Sequence, residues 1–307
     1  MTYDIIGDVH GQVGKLKALL DKLDYVNEAG TYRHPEGRMA LFLGDLIDRG
    51  SGQLETIHIV RRMIDAGAAR SVMGNHEWNA IGYATPCPDG SDYLRKRSPN
   101  KRKQHAAFLA EVGEDSELHR DIVAWFKTLP PFLDLGEIRV CHAWWDPDRV
   151  ALVAENCEAD GALKEDFLVS AFSKHSDAWA AIEGLTKGLE VDLPDGHSFI
   201  DHTGITRENT RLAWWNSEAT TFRSAAMVPE WERPKIPDLP LPADTPMGVA
   251  SDVPVFIGHY WLSGKPGVLS PKAACLDYGA GLTGPLVAYR WDDGESVLSN
   301  EKFLSSE

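Results

Sequence analysis

Met39-Ala40-Leu41-Phe42-Leu43-Gly44-Asp45-Leu46-Ile47-Asp48-Arg49-Gly50 is the stretch whose reading decides the fold. Five consecutive apolar residues predict a short buried strand, and the Gly-Asp pair after them predicts an abrupt turn. Two carboxylates and an arginine therefore stand just beyond a strand end. The pattern recurs on both sides. Upstream, Tyr3-Asp4-Ile5-Ile6 runs into Gly7-Asp8-Val9-His10-Gly11; downstream, residues 71–73 run into Gly74-Asn75-His76-Glu77. Between these runs Val13, Leu16, Leu20 and Leu23 recur at helical spacing, and Leu54, Ile57, Met63 and Ile64 do so less regularly. Strand, loop, helix, strand is a βαβ order and predicts an α/β chain. Three later apolar runs, residues 138–141, 253–257 and 273–276, end at His142, at Gly258-His259 and at Asp277-Tyr278-Gly279. In open α/β sheets ligands bind beyond the carboxyl ends of strands. Most of these ends carry Asp, Asn or His.

The 307 residues hold 31 Lys+Arg against 46 Asp+Glu, a formal charge of -15. Such a surface repels polyanions, so no long nucleic-acid partner is expected. A hydrophobic content of 43% with 25% charged residues excludes disorder as the main state. No apolar run is long enough to span a membrane, and the first residues lack the basic and apolar regions of a secretion signal, so a cytoplasmic, membrane-free protein is expected. Cys87, Cys141, Cys157 and Cys275 form no CxxC pair, which predicts reduced thiols, with Cys141 a buried inert one. Two regions break the βαβ rhythm. Residues 78–130 hold a loop with a basic cluster and then a helix through Leu129 stopped by Pro130-Pro131; residues 146–252 read as an inserted cap, helical to about Leu189 and proline-rich over 229–246, where extended surface chain is expected.

Asp8, His10, Asp45, Asn75, His142 and His259 together offer carboxylates, an amide oxygen and imidazoles, a donor set that suits manganese, iron or zinc. Asp8 and His10 leave the same turn and can grip one divalent ion; Asp45 is the natural bridge; Asn75, His142 and His259 remain for a second ion. Two such ions polarise a phosphoryl group and hold a bridging hydroxide for in-line attack on phosphorus, so no protein nucleophile is needed. Arg49 supplies a planar guanidinium for phosphate oxygens. His76 is placed to protonate the leaving oxygen, with Asp48 orienting it.

The ordered set Gly7-Asp8-Val9-His10-Gly11, Gly44-Asp45-Leu46-Ile47-Asp48-Arg49-Gly50 and Gly74-Asn75-His76-Glu77 resembles the signature of the calcineurin-like metallophosphoesterases, in the phosphoprotein-phosphatase branch that includes Ser/Thr protein phosphatases and bacterial diadenosine tetraphosphate hydrolases. The stretch from Leu276 to Trp291 is similar to the closing strands of those hydrolases. The resemblance implies a four-layer αββα sandwich, here one catalytic domain over residues 1–307 carrying the insert and the cap. It also implies a second phosphate-binding arginine between the last two histidines; of Arg207, Arg211 and Arg223, Arg211 is favoured. One departure stands out. Family members follow the fourth-motif histidine with a small pair, whereas His142 is followed by Ala143-Trp144-Trp145.

The implied activity is hydrolysis of a phosphate ester or anhydride. A dinucleoside polyphosphate or other small phosphorylated metabolite is the favoured substrate, and a phosphoprotein is the alternative. A non-catalytic scaffold of the same fold is disfavoured because every candidate ligand and His76 are present. Trp144, Trp145, Trp214 and Trp215 are expected mainly as packing residues, with base stacking as the second reading. The basic residues at 95–103 are expected as a solvated loop or, more sharply, as a clamp for distal phosphates or an RNA end, in which Arg95, Arg97 and Arg102 would take part. His34, His58, His105, His119, His175, His197 and His202 stand in loops or helices without a partner motif, and no role is expected of them.

Overall fold

The computed structural model describes residues 1–201 and 204–307; His202 lies outside the described residues. One sheet has the strand order β15 (Phe303–Ser305), β14 (Val287–Trp291), β1 (Tyr3–Ile6), β4 (Met39–Phe42), β5 (Ala69–Ser71). In it β1, β4 and β5 run parallel, with Ile5 opposite Leu41 and Leu41 opposite Arg70, while β14 is antiparallel to β1 and β15. Helices α1 (Val13–Lys22) and α2 (Gln53–Asp65) are the crossovers that parallel pairing demands. A small hairpin, β2 (Val26–Glu28) with β3 (Thr31–Arg33), sits between α1 and β4. The second sheet has the order β13 (Ala273–Cys275), β12 (Val255–Ile257), β7 (Arg139–Cys141), β6 (Phe132–Asp134), and β7, β12 and β13 are parallel.

Side chains alternate across a strand, and the alternation sorts the core into layers. Ile5, Leu41, Val140, Phe256, Ala274 and Tyr289 share one buried cluster to which both sheets contribute. Their neighbours Ile6, Phe42, Cys141, Ile257, Cys275 and Ala288 face the other way, into a cluster with Leu16, Leu20, Ile57 and Val60 of the helices. Sheet therefore faces sheet and helices cover the outside, which is the expected αββα sandwich.

After β5 come α3 (Asn75–Ala84), α4 (Pro99–Gln104), α5 (Ala106–Val112) and α6 (Glu117–Phe126). Residues 78–84 thus continue the helix begun by the third motif. α6 stops at Phe126 rather than Leu129, because a residue before proline is disfavoured in helix. The 146–252 segment holds α7 (Pro147–Glu155), α8 (Glu165–Ser170), α9 (Asp177–Lys187), β8 (Glu190–Asp192), β9 (Phe199–Ile200), β10 (Thr206–Arg207), β11 (Asn209–Arg211) and α10 (Phe222–Ala225). It is bonded to the core: the Ala143 N–H donates to Leu185 O at 2.8 Å and the Trp214 indole N–H to Ala143 O at 3.1 Å. The proline-rich run departs from plain extended surface chain, since Arg233–Lys235 make a 3-10 turn and Ile236 is fully buried with Leu193, Phe199, Phe222 and Ala226. No helix among the described residues is long and apolar enough to cross a membrane. All four cysteines are free thiols; burial pushes the Cys141 thiol up, far from reactivity.

Candidate active site

Six parallel strands end on related edges of the two sheets, and this is why residues far apart in the chain meet. Asp8 and His10 follow β1, Asp45 follows β4, Asn75 and His76 follow β5, His142 follows β7 and His259 follows β12. Backbone bonds lock the loops together: the His10 N–H donates to Asp45 O and the Gly258 N–H to His142 O, each at 2.8 Å. His10, Asp45, Asp48, Arg49, His259 and Trp261 all hold left-handed backbone, with φ between 49° and 72°. Left-handed backbone costs a non-glycine residue about 1–3 kcal/mol and persists only where the surroundings over-determine it. Gly258 and Gly74 allow the closest approaches. A Cβ on Gly258 would lie 2.0 Å from Asp8 Oδ1, and one on Gly74 would lie 2.3 Å from Asp45 Oδ1.

Asp45 Oδ2 is the centre of the cluster. It stands 3.4 Å from His142 Nε2, 3.6 Å from His10 Nε2 and 3.8 Å from His76 Nε2. Carbonyl oxygens fix the tautomers of two of these rings, because a carbonyl can only accept: His10 Nδ1–H donates to Ile47 O at 2.9 Å and His142 Nδ1–H to Leu43 O at 2.6 Å. Their Nε2 lone pairs then point at acceptors, Asp45 Oδ2 in both cases and Asn75 Oδ1, 3.2 Å away, in the second. Acceptors facing acceptors need a proton or a cation between them. Asp8 Oδ1, His10 Nε2 and His259 Nε2 are moreover buried with no hydrogen-bond partner. An ion bonded to N and O at about 2.0–2.2 Å holds its ligands roughly 3–4 Å apart. His10, Asp45 and His76 form one group, and Asp45, His142 and His259 another, whose donor atoms lie within 4.8 Å of one another. The residues present thus fit divalent metal.

The electrostatics agree. Burial disfavours charge on His10, pushing its pKa down to about 3, and lowers His259 as well, so both rings are neutral donors. Burial also opposes charge on His142, but Asp45 and Asp8 outweigh it and push that ring up to about 10. Burial and then Asp277 raise Asp8. Buried acids without a metal hold a proton on His142; cation binding would displace it.

His76 lies beside this cluster. Its Nδ1–H donates to Asp48 Oδ2 at 2.5 Å, leaving Nε2 turned toward Asp45. The other oxygen of Asp48 accepts from His105 Nδ1–H at 2.8 Å. The expectation that His105 lacks a partner is therefore corrected: the α4–α5 junction carries it across a gap of 57 residues to Asp48, and no spacing rule spans such a gap. Glu77 was legible only as a motif residue, yet it builds the Asp45 turn. Its Oε2 accepts from the N–H groups of Asp45 (2.8 Å) and Gly74 (3.0 Å), and its Oε1 from Leu46 (2.8 Å). Burial, together with the charge of Asp45, raises its pKa to about 7. Glu77→Gln places an NH2 group against at least one backbone N–H, which is expected to cost about 1–3 kcal/mol, read as a lower Tm in thermal melts. An unchanged Tm would mean that this turn does not depend on Glu77.

Arg49 is exposed, and its guanidinium stacks 3.9 Å from the Trp261 ring centroid. Asp277, at the end of β13, accepts from the Trp261 N–H at 2.8 Å and from the Gly279 N–H at 2.9 Å. The strand-end rule marks Asp277, but both its oxygens serve backbone. Of the three candidate arginines, Arg207 pairs with Asp201 (2.8 Å), Arg223 bonds Ile236 O (2.8 Å), and Arg211 pairs with Glu190 (3.1 Å). Arg211 is the one whose charge acts on His259. The tryptophans leave no face open: Trp144 and Trp145 are each 3% exposed, Trp214 0% and Trp215 7%, which removes the base-stacking reading.

A cavity of about 550 Å³ is lined by Asp48, Arg49, Asn75 and His76 together with Arg95, Lys101 and Lys103. The clamp expectation is corrected in detail. Arg97 makes two 2.7 Å bonds to Asp115 and Arg102 pairs with Glu114, so neither lines the cavity, whereas Lys101 and Lys103 do.

Residues 1–235 match the calcineurin-like phosphoesterase model, and the chain belongs to that family. It is 38% identical over 130 residues to the asymmetrical bis(5'-nucleosyl)-tetraphosphatase PrpE of Halalkalibacterium halodurans, covering 42% of this chain and 49% of that protein. To PrpE of Bacillus subtilis it is 36% identical over 151 residues, 47% and 57% of the two chains. These matches span about half the length of the relatives concerned. A symmetrical bis(5'-nucleosyl)-tetraphosphatase of Vibrio parahaemolyticus is 24% identical over 301 residues, 95% of this chain and 96% of that one. A solved protein serine/threonine phosphatase from Saccharomyces cerevisiae shares the fold, with a TM-score of 0.51, 14% identity, and coverage of 99% and 78%.

Proposed function

We propose that the chain is a metal-dependent hydrolase of phosphoric esters or anhydrides, with a dinucleoside polyphosphate or a similar small nucleotide as its substrate. The carrying observation is Asp45 Oδ2 facing three imidazole Nε2 atoms beside buried donor atoms without partners. Asp8, His10 and Asp45 would hold one ion, and Asp45, Asn75, His142 and His259 the other. Such ions supply positive charge for the phosphoryl oxygens and acidify water at neutral pH.

The chain's own groups do the rest. Arg49, pre-oriented by the Trp261 ring, takes two phosphate oxygens in a bidentate contact. His76 delivers a proton from Nε2 to the leaving oxygen while Asp48 holds its Nδ1–H, and His105 holds Asp48 in turn. Arg211 stands on the His259 side as a second phosphate contact. Support for a nucleotide substrate comes from the cationic cavity beside Arg49 and from the tetraphosphatase relatives.

The test compares manganese-loaded protein on diadenosine tetraphosphate, a phosphopeptide, p-nitrophenyl phosphate and its bis ester. Metal-dependent cleavage of the tetraphosphate and of the monoester, with the bis ester inert, is expected. Preference for the phosphopeptide would transfer the substrate to proteins, and no metal-dependent cleavage of any arm would remove the hydrolase reading.

A further inference from the structure

The net charge of -15 makes any concentration of unpaired cations informative. Among the described residues, four nearby Lys and Arg side chains pair with acids: Arg97 with Asp115, Arg102 with Glu114, Lys187 with Glu183 and Arg211 with Glu190. Arg95, Lys101 and Lys103 make no ion pair among the described residues; Arg95 reaches only Gln104 Oε1, at 3.5 Å. All three line the cavity that opens on Arg49 and His76.

Their placement is built at three points. The Arg95 N–H donates to Gly82 O at 2.9 Å, fixing that residue on α3, the helix whose first turn carries His76. At the other end of α4, His105 bonds Asp48 at 2.8 Å. Between them Arg97 lies 3.5 Å over the Tyr93 ring and 4.8 Å over Tyr83, and its paired bonds to Asp115 prop the loop from outside. The cations are thus held in register with the proton donor and with Arg49. Burial and then Arg95, Lys174, Lys187 and Lys96 lower the Lys101 pKa, and no acid is among its main influences. Glu183 and Asp48 act on Arg95 without pairing with it, and like charges gathered with no ion pair among them store repulsion that an anion relieves.

We infer that Arg95, Lys101 and Lys103 form a second anion subsite, which selects small substrates bearing further phosphate groups beyond the scissile one. A volume of about 550 Å³ is within the range of small-ligand sites, roughly 300–1,000 Å³, and the three cations line the same cavity as Arg49, where further phosphates of a substrate held by Arg49 would meet them. The acidic surface outside the cavity disfavours an acidic phosphopeptide, which would have to lie across it. The inference rests on the hydrolase reading.

The experiment uses the full chain with manganese and compares wild type, the triple variant Arg95→Gln/Lys101→Gln/Lys103→Gln, and Arg102→Gln, which removes one cation of the same run outside the cavity. KM for diadenosine tetraphosphate is expected to rise about tenfold or more in the triple variant, charge-assisted contacts being the strong ones. Kinetics on p-nitrophenyl phosphate should stay within about twofold, and Arg102→Gln should behave as wild type. The dissociation constant of diadenosine tetraphosphate, measured by calorimetry in a His76→Ala background, should weaken in parallel. An unchanged KM and dissociation constant for the tetraphosphate, an equal loss on the monoester, or a loss confined to an acidic phosphopeptide would each overturn the subsite. Absence of metal-dependent cleavage of both diadenosine tetraphosphate and p-nitrophenyl phosphate by wild type would instead sink the hydrolase reading, while the calorimetric comparison would still report on the subsite.

Discussion

Asp45→Asn is expected to lower the manganese stoichiometry below two ions per chain and to reduce hydrolysis by more than the roughly 10–100-fold that outer-shell substitutions cost at metal sites. The geometry supplies the reason. Oδ2 of Asp45 faces the Nε2 atoms of His142, His10 and His76 at 3.4, 3.6 and 3.8 Å, so in the proposed site Asp45 would be a ligand shared by both ions. Asparagine keeps an oxygen for the His76 N–H, which Asp45 Oδ1 now accepts at 2.9 Å, and the local backbone should survive. It removes the negative charge and can turn an N–H toward imidazoles that need a cation. A second readout is independent of turnover. Manganese at about 100 times its dissociation constant should stabilise wild type by about 2.7 kcal/mol per bound ion, and the accompanying rise in Tm should be smaller in Asp45→Asn. Two ions per chain and wild-type activity in the variant would defeat the bridging assignment.

His76→Ala is expected to lower kcat on an alkyl phosphomonoester by about 10²–10⁴-fold, the usual range for a positioned general acid. KM should move little, because Arg49 and the cationic cavity remain. Burial opposes charge on His76, yet Asp45 and the Asp48 hydrogen bond outweigh it and raise its pKa above the ordinary value, which suits a proton donor. The leaving group discriminates this role from a merely structural one. p-Nitrophenolate departs without a proton and an alkoxide does not, so the loss on p-nitrophenyl phosphate should be clearly smaller than on the alkyl ester. Equal losses on both substrates would show that His76 positions the site rather than donating the proton.

Much of this was legible because strand-end chemistry is local. A short apolar run followed by Gly-Asp or Gly-Asn announces both a strand and a polar group at its carboxyl end, and six candidate ligands were found this way. Boundaries moved by a few residues, and the β2–β3 hairpin escaped notice since its strands are largely exposed and carry little hydrophobic period. His105 and Glu77 were harder. Each acts through a contact made after folding, His105 on Asp48 across 57 residues and Glu77 on the Asp45 turn across 32. Trp144 and Trp145 are expected from the sequence mainly as packing residues, and their burial agrees with that reading and removes the stacking alternative.

By itself the sequence determined the βαβ order and a candidate donor set, since hydrophobic periodicity and turn chemistry act between near neighbours, and its three motifs carried the resemblance that implies the family and the sandwich. Which donor faces which, and which cations stay unpaired, only the tertiary structure decided. Arg95, Lys101 and Lys103 are chemically indistinguishable in the chain from Arg97 and Arg102. What separates them is that Asp115 and Glu114 fold back to neutralise one pair, while the others face a cavity beside the candidate metal cluster. Charge pairing depends on distance in space, and that distance is set by packing of elements remote in sequence.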